Sequence, residues 1–269
     1  MRKKIYLIVS FCLMCLSIVY IAVSCAAEGG SSEGGGGGLS EGKGGSMARF
    51  AIKGDYLYTV SFDTMKVIDI TDAANPKYYH QRDMMVGFDI ETIFPMDTLL
   101  FIGARSGMYV YDITRPQFPT LLSRVTHITS CDPVVAQDNY AYVTLNTNVR
   151  GCGRVPNNVL LVYDISNPLK PIQKKELRLN GPTGLGVDGA KLFVCDFGLK
   201  QFDITNPLNI HQTGDVVEIE EVDVKAAYDV IPVNGILILV AKEGLFQFDY
   251  TEKDLKFVSK IETVKKSRR

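Results

Sequence analysis

Residues 109–119 read YVYDITRPQFP, an apolar run that ends at Asp112 and continues into a turn with two prolines. The same phrase occurs four more times along the chain, although its last copy lacks the prolines. Repeats of about forty residues, each with several short strands, are typical of β-propeller blades. The other copies are VIDITDAANP at 67–76, VYDISNPLKP at 162–171, QFDITNPLNI at 201–210 and QFDYTEKDLK at 247–256; the five aspartates, Asp69, Asp112, Asp164, Asp203 and Asp249, are 43, 52, 39 and 46 residues apart.

Each repeat contains four short segments rich in aromatic or β-branched residues, with turn residues between them. In the fourth repeat these are TGLGVDG at 183–189, KLFVCDF at 191–197, the aspartate phrase, and the more polar HQTGDVVEI at 211–219. The polar segment is expected at the outer edge, where charged side chains prevent pairing with other chains. No stretch keeps a helical period over three turns. The sequence therefore predicts an all-β fold, a five-bladed β-propeller over residues 47–264 with four antiparallel strands in each blade.

The ring is expected to close by direct packing of the fifth blade on the first, without strand exchange. The first readable strand, near 47–52, is an inner one, and the last, near 256–262, is an outer one. Ten of the 19 residues at 28–46 are glycine, so this segment is a poor source of an edge strand. We accordingly expect residues 28–46 to make no hydrogen bond to the last blade.

The aspartate that ends each third strand is interpreted as a structural group. Its short carboxylate can accept the backbone N–H of the residue two positions further on, which is Thr or Ser in every copy. The proline that follows in most copies removes a donor and stops the strand. Calcium in each turn is the alternative, but one carboxylate per turn is far from the six or more oxygens that calcium requires.

The first 24 residues have the features of a secretory signal peptide. A basic start, MRKK, precedes the apolar residues 5–23, and small residues precede Cys25. A cysteine in this place points to bacterial lipoprotein processing, in which Cys25 carries the acyl chains. We therefore expect a cell-envelope protein held in a lipid bilayer, most simply the outer membrane, facing either the periplasm or the outside. The alternative is an uncleaved anchor helix, because this apolar run could nearly span a bilayer.

The remaining boundaries follow from composition. Residues 25–46 form a glycine-rich linker that behaves as a flexible tether. The chain ends in a short basic tail at 265–269.

Charge and motifs exclude several classes of function. The formal net charge is -1, so nothing predicts a nucleic-acid partner. The glycine-rich segment has no strand before it and no helix after it, which excludes a phosphate-binding loop. There is no hydrolase elbow and no nucleophile paired with a histidine. We therefore expect no cofactor and no metal site, and the sequence offers no catalytic residue.

Three carboxylates begin inner strands in matching register. Asp89, Asp132 and Asp229 precede the inner strands of the second, third and fifth blades, so they are expected to lie around one mouth of the central channel. Together they could bind a cation or a basic ligand. The alternative is that each one caps backbone amides of the loop entering its blade. Thr183 and Ala48 stand at the matching places in the other two blades, so the ring of acids is incomplete.

A disulfide between Cys131 and Cys152 is also predicted. Cys131 lies at the start of the third inner strand, and Cys152 lies in the long loop between the second and third strands of the same blade. Both positions are at the same end of a blade, and a cell envelope is oxidising. Cys195 is the rival partner, although its setting in LFVCDF is more typical of a small buried apolar residue.

The repeats as a whole resemble those of the LVIVD-repeat family. The resemblance rests on residues 181–210, GPTGLGVDGAKLFVCDFGLKQFDITNPLNI, and residues 228–250, YDVIPVNGILILVAKEGLFQFDY. It implies a β-propeller on a secreted or lipid-anchored protein of the kind common in Bacteroidota, but it implies no activity. We expect a binding or scaffold module for an envelope protein or a glycan. The alternative is an envelope enzyme that acts at the propeller mouth.

Overall fold

A computed structural model of the protein describes most of the chain after the glycine-rich region. The described residues are 44–78, 84–87, 89–127, 133–148, 157–216, 218–219 and 222–262.

The described regular structure is entirely β-strand, arranged as antiparallel sheets that follow one another along the chain. Each sheet is one blade, and its strands pair in chain order from the inner strand to the outer strand. Blade one contains β1 (Phe50–Lys53), β2 (Tyr56–Val60), β3 (Thr64–Asp69), β4 (Lys77–Tyr78) and β5 (Met84–Met85); blade two contains β6 (Ile90–Met96), β7 (Leu99–Ala104), β8 (Gly107–Asp112) and β9 (Thr120–Thr126); and blade three contains β10 (Val134–Gln137), β11 (Tyr140–Leu145), β12 (Val159–Asp164) and β13 (Ile172–Arg178).

The last two blades are separated by a short hairpin of two strands.

The five-bladed β-propeller with four-stranded blades predicted from the repeats is confirmed. No helix long and apolar enough to cross a membrane occurs in the described part of the chain. Blade four contains β14 (Pro182–Asp188), β15 (Lys191–Asp196), β16 (Leu199–Asp203) and β17 (His211–Val216); the hairpin is β18 (Glu218–Ile219) with β19 (Val222–Asp223); and blade five contains β20 (Ala227–Val233), β21 (Ile236–Ala241), β22 (Gly244–Asp249) and β23 (Lys256–Glu262).

Blade one departs from the others at its outer edge. Its outer strand is divided into β4 and β5, and both pieces pair with β3. In the other four blades a single outer strand pairs with the third strand, and the register shifts at the same place, just before the aspartate of the repeated phrase. The shifts are at Val110/Tyr111, Val162/Tyr163, Gln201/Phe202 and Gln247/Phe248. Such bulges bend and twist an edge strand, so the repeat encodes the twist of each blade together with its turn.

The aspartate turns have the same hydrogen bond in all five blades. The carboxylate Oδ1 accepts the backbone N–H of the residue two positions on, and this bond fixes the chain direction as it leaves the third strand. The N–O distances are 3.0 Å for Thr71 to Asp69, 2.7 Å for Thr114 to Asp112, 3.1 Å for Ser166 to Asp164, 2.8 Å for Thr205 to Asp203 and 2.8 Å for Thr251 to Asp249.

The hydroxyl groups of these turns strengthen the same arrangement. Ser166 and Thr251 each donate their hydroxyl to Oδ1 at 2.6 Å, and Thr114 does so as well. In four of the turns two hydrogen bonds hold the carboxyl pKa below its ordinary value. The bond from the hydroxyl group has the larger effect, and the bond from the backbone N–H has the next largest. These four carboxyl groups are those of Asp112, Asp164, Asp203 and Asp249.

Buried apolar clusters join each blade to the next. One cluster unites blades one and two, and the following clusters unite two with three, three with four, and four with five. The strands of the middle blades are therefore buried on both faces; in β11, for example, every residue after Tyr140 is buried. Full burial of a Phe, Leu or Val side chain contributes roughly 1.5–3 kcal/mol, so these seams are the main source of stability.

The seam between blade five and blade one is different. In β21 the buried side chains alternate with partly exposed ones, whereas the matching strands of blades two to four are buried along almost their whole length. Phe50 at the start of β1 is 55% exposed and Leu245 in β22 is 39% exposed. Among the described residues, no buried apolar cluster joins these two blades.

Hydrogen bonds near the axis close the ring instead. Ser46 Oγ donates to Asp229 Oδ1 of blade five at 2.9 Å and accepts the Leu185 N–H of blade four at 2.7 Å. The Met47 N–H donates to Asp229 Oδ2 at 3.1 Å, and Ala48 O accepts the Ile93 N–H of blade two at 3.0 Å. Residues 45–48 thus form a strap, which we call the closing strap, that touches the inner strands of three other blades.

Glycine makes this close approach possible. A Cβ on Gly45 would lie 2.0 Å from Asp229 Oδ2, and a Cβ on Gly184 would lie 2.1 Å from Asp229 Oδ1. Neither distance can hold a carbon atom, so only residues without a side chain fit on the two sides of this carboxylate.

The expectation about closure is therefore partly wrong. Blade five does take all four strands from residues 227–262, so there is no strand exchange. However, Gly45 and Ser46, which the composition places in the linker, pack against the last blade, and Ser46 hydrogen bonds to it. Composition concealed this role because the glycines that are typical of a tether are also the residues that a tight crossing requires.

We predict that Ser46→Ala lowers the free energy of unfolding by about 2 kcal/mol, because it leaves a buried carboxylate and a buried amide each short of a partner. Urea denaturation of the two proteins measures the difference. Ser61→Ala is the matched control: the Ser61 hydroxyl is exposed and bonds only to a nearby backbone oxygen, so its effect should be within about 0.5 kcal/mol. Equal losses for the two variants would contradict the role of the closing strap.

We also predict that the aspartate turns make the fold sensitive to acid. Their carboxyl pKa is lower in the folded than in the unfolded chain, so their stabilisation is complete above the unfolded value of about 3.9 and is lost as the pH falls through the lower folded value. Denaturation at pH 7, 5 and 3 should show the loss between pH 5 and 3. Changing Asp112, Asp164, Asp203 and Asp249 together to Asn, which still accepts the bond but does not titrate, should flatten this acid limb. An unchanged acid limb in that variant would refute the assignment.

Candidate functional site

The candidate site lies at the end of the propeller where the inner strands begin, which we call the mouth. The inner strands β14 and β20 run in parallel, since Gly184 lies against Asp229 and Gly186 against Pro232. Loops that join the second strand of a blade to its third strand lie at this same end. The mouth therefore combines inner-strand starts with these loops, whereas the aspartate turns lie at the opposite end.

Asp229 is a buried structural carboxylate of the mouth. Its Oδ1 accepts hydrogen bonds from the Ser46 hydroxyl and from the N–H of the next residue, Val230, each at 2.9 Å. Its Oδ2 accepts the Met47 N–H. Burial raises the pKa of this carboxyl above its ordinary value, and the hydrogen bonds oppose part of that rise. The group thus caps backbone amides, as in the alternative given by the sequence.

Asp89 has a different environment, and it does not share the register of Asp229. Ile93 and Val230 each pair with the fourth residue of their second strand, so Asp229 lies one residue, and Asp89 four residues, before the same position. The Asp89 backbone is left-handed, with φ at +56°, and its Oδ2 lies 3.3 Å from Arg105 Nη1 in an ion pair that is about one third exposed. Asp132 lies outside the described residues. The two described carboxylates therefore each have a protein partner of their own, and the part of the chain that the structure describes contains no cluster of three or more His, Cys, Asp or Glu suited to a metal.

The cysteines are only partly within the described structure. Cys195 is a buried free thiol, and its burial raises the thiol pKa well above the ordinary value. Cys25, Cys131 and Cys152 lie outside the described residues, so lipidation of Cys25 and the disulfide between Cys131 and Cys152 stay predictions.

A network of amide side chains, which the sequence reasoning missed, joins blades three and four at the mouth. Asn148 Nδ2 and Asn158 Nδ2 both donate to the Asn180 backbone oxygen, at 2.8 and 2.6 Å. Asn158 Oδ1 in turn accepts the Thr147 N–H at 3.0 Å, and Asn146 Oδ1 accepts the Asn148 N–H at 2.9 Å. These bonds fix both ends of the long loop of blade three to the entrance of blade four.

Asp196 anchors the other side of this network. Its side chain is fully buried, and its Oδ1 accepts the N–H groups of Asn180 and Gly181 at 2.9 and 2.7 Å. Lys200 Nζ lies 3.3 Å from its Oδ2, so the buried negative charge is paired. A buried charge with both a counter-ion and hydrogen bonds is satisfied, and it holds residues 180–181 in place.

Large apolar side chains stand exposed on the rim of the mouth. They come from the start of an inner strand or from a loop between the second and third strands, so their backbone is held by the blades. Aromatic faces on a rigid frame offer contact area with little loss of conformational entropy on binding. The exposed fractions are 58% for Phe62, 54% for Phe197, 48% for Tyr228 and 47% for Met47.

Solved structures share this fold at low sequence identity. A functionally unknown protein from Desulfotomaculum acetoxidans superimposes with a TM-score of 0.64 at 14% identity, over 80% of this chain and 69% of that one. Apo AztD from Citrobacter koseri superimposes with a TM-score of 0.56 at 16% identity, over 78% of this chain and 63% of that one. The periplasmic gluconolactonase of Pseudomonas aeruginosa also has a TM-score of 0.56, at 14% identity, over 78% of this chain and 68% of that one. This chain thus spans about two thirds of their length, and such identities establish the fold alone. No curated protein matches the chain.

A family model supplies the remaining comparison. The model described as the LVIVD repeat matches residues 44–80 and 155–177. The first match runs from the closing strap to the outer edge of blade one, and the second covers the third strand and most of the outer strand of blade three. Each match contains one aspartate turn, which agrees with the resemblance of the repeats. The protein is a five-bladed β-propeller, and two of its segments match the LVIVD-repeat model.

Proposed function

We propose that the protein is a lipid-anchored binding module of the cell envelope, and that its mouth is the surface that binds an envelope protein or a glycan. The observation that carries this proposal is the set of exposed aromatic side chains on the rim, Phe62, Phe197 and Tyr228. Exposed aromatic residues on fixed backbone are the side chains that dominate binding energies at recognition surfaces. The amide network beside them adds hydrogen-bonding groups that are held in position.

The opposite end serves as an internal comparison. Among the described residues it also exposes Leu121 and Ile172, at the start of outer strands, and Phe118, Leu169 and Leu208, which lie within the repeated proline turns. Their exposure is explained by the turn that each blade uses to leave its third strand. The rim residues of the mouth, by contrast, do not follow from the repeat.

The alternative of an envelope enzyme has one arrangement to consider. Ser46 and Asp229 form a hydroxyl–carboxylate pair at the mouth, which resembles half of a hydrolase triad. However, Ser46 is 1% exposed, and its oxygen already accepts the Leu185 N–H. A substrate carbonyl has no access to this oxygen, so the pair supports closure of the ring and not nucleophilic attack.

Binding through the mouth is tested by capture from envelope extracts. A soluble form that begins at residue 26, one residue after the acylated cysteine, is immobilised and offered envelope proteins and envelope polysaccharides in separate experiments. We expect the double variant Phe62→Ser, Tyr228→Ser to lose most of the captured material, because the rim then lacks two of its aromatic faces. The matched control replaces Leu169 and Leu208 with Ser at the opposite end and should retain capture. Equal capture by the two variants, or loss only in the control, would overturn the proposal.

The anchor has its own test. Cells supplied with a clickable fatty acid should label the wild-type protein, and Cys25→Ala should lose the label and leave the membrane fraction, because the acylated thiol is gone. Cys195→Ala is the control, since Cys195 is buried within the propeller, and it should keep the label. Label retained by Cys25→Ala would contradict lipidation at this residue.

A further inference from the structure

One residue of the mouth has a backbone conformation that its side chain disfavours. Five described residues other than glycine have φ in the left-handed region. Four of them are Asp or Asn, whose short polar side chains tolerate this conformation. Phe197, with φ at +51°, is the fifth, and a bulky aromatic residue there is strained. The five are Asp89, Asp97, Asp138, Phe197 and Asn234.

Burial of the ring does not explain this choice of residue. The Phe197 side chain is more than half exposed, so it recovers little hydrophobic free energy. The ring lies against Gly181, where an added Cβ would be 3.1 Å from a ring carbon and 3.0 Å from Asn148 Nδ2. One part of the ring therefore rests on the backbone of blade four, and the rest faces solvent beside the amide network.

The described polar groups that lie closest to the ring are neutral and already positioned. Asn148 donates to the Asn180 backbone oxygen, and the Asn180 side chain donates to Asp196 at 3.3 Å. The described contacts leave the side-chain oxygens of both asparagines without a donor. Both residues are exposed, so these oxygens are available as acceptors close to the aromatic ring.

The described charges in this region are paired within the protein and so do not favour an ionic ligand. Asp196 is fully buried and pairs with Lys200, which also lies 3.9 Å from Asp215. The exposed surface is thus an aromatic ring beside amide groups that donate and accept hydrogen bonds. A sugar ring matches this surface, because its C–H face packs on an aromatic ring while its hydroxyl groups donate to and accept from amides.

We propose that Phe197, Asn148 and Asn180 form a subsite for a neutral sugar ring of a glycan. This inference rests on the proposed binding function of the mouth and narrows its ligand to a carbohydrate. The strain at Phe197 is then a cost to folding that is retained because the ring is needed for the ligand. Asp196 and Gly181 act as positioning residues, since they hold the backbone under the ring without touching the ligand.

The experiment compares stability with binding in the same variants. Phe197→Asn places a residue suited to a left-handed backbone at this turn, so its Tm should equal or exceed that of the wild type. The probes are neutral glycans, namely dextran, mannan, galactan and chitin oligosaccharides, measured by calorimetric titration. We expect the wild type to bind at least one of them, Phe197→Asn to bind it at least tenfold more weakly, and Phe197→Tyr to retain binding. Asn148→Ala should weaken binding severalfold.

Each other outcome would overturn the subsite. A lower Tm for Phe197→Asn would show that the ring serves the fold. Unchanged binding in Phe197→Asn, or no binding of any probe by the wild type, would exclude the sugar. If no probe binds while the mouth still captures an envelope protein, the proposed function stands and only the choice of ligand fails.

Discussion

A four-stranded blade has two faces, and both are apolar in this chain, so each blade requires a neighbour on either side. This constraint accounts for the nearly continuous burial of β7, β11 and β15 and for the apolar clusters that unite successive blades. It also makes the final seam the weak point of the ring, because the first and last blades are joined by no short loop. The protein meets the requirement near the axis, where the closing strap is hydrogen bonded to the inner strands of blades two, four and five, while the side chains further out stay partly exposed.

The sequence was sufficient to predict what is repeated. The aspartate phrase sets the number of blades, the third strand and the turn, because a carboxylate that bonds the second N–H after it acts locally and needs no tertiary context. The closing strap could not be predicted in the same way. The role of Ser46 and Gly45 in closing the ring is visible only in the folded structure, where Asp229 lies next to them. Ser46 and Asp229 are more than 180 residues apart in the sequence.

The candidate site was predicted less completely, for a related reason. The motifs around Asp89 and Asp229 predicted one register, but the strand pairing offsets the two residues by three positions. One forms a partly exposed ion pair and the other is a buried cap. The amide network joins the ends of a long insert in blade three to blade four, so no single repeat contains it. Phe197 did have a local signal, since it precedes a glycine in a short hairpin loop where Asn or Asp would be usual, but its exposure depends on the packing around Gly181.

The carboxylates show how one residue type can carry opposite electrostatic effects in one fold. The turn aspartates are exposed and bonded by donors, so their charged form is stabilised and their pKa is lowered. Asp229 is bonded as well, but desolvation outweighs its donors, so its pKa is raised and its charge costs stability at neutral pH. The fold keeps this cost because the same carboxylate is the acceptor that connects the closing strap to blade five.

Departures from the repeat also concentrate at one place, the border between blades three and four at the mouth. The long loop of blade three ends here, Thr183 lies at the start of the inner strand of blade four, and Phe197 holds a backbone conformation suited to Asn. Thr183 has a structural explanation. Its hydroxyl donates to the backbone oxygen of Ala227, and its backbone oxygen accepts a hydrogen bond from the Thr144 hydroxyl. For Phe197 the described contacts include no hydrogen bond of this kind, and its ring packs only in part, against Gly181. In a chain whose repeats otherwise satisfy local preference, a residue that opposes local preference and stays more than half exposed is the feature on which the proposed subsite rests.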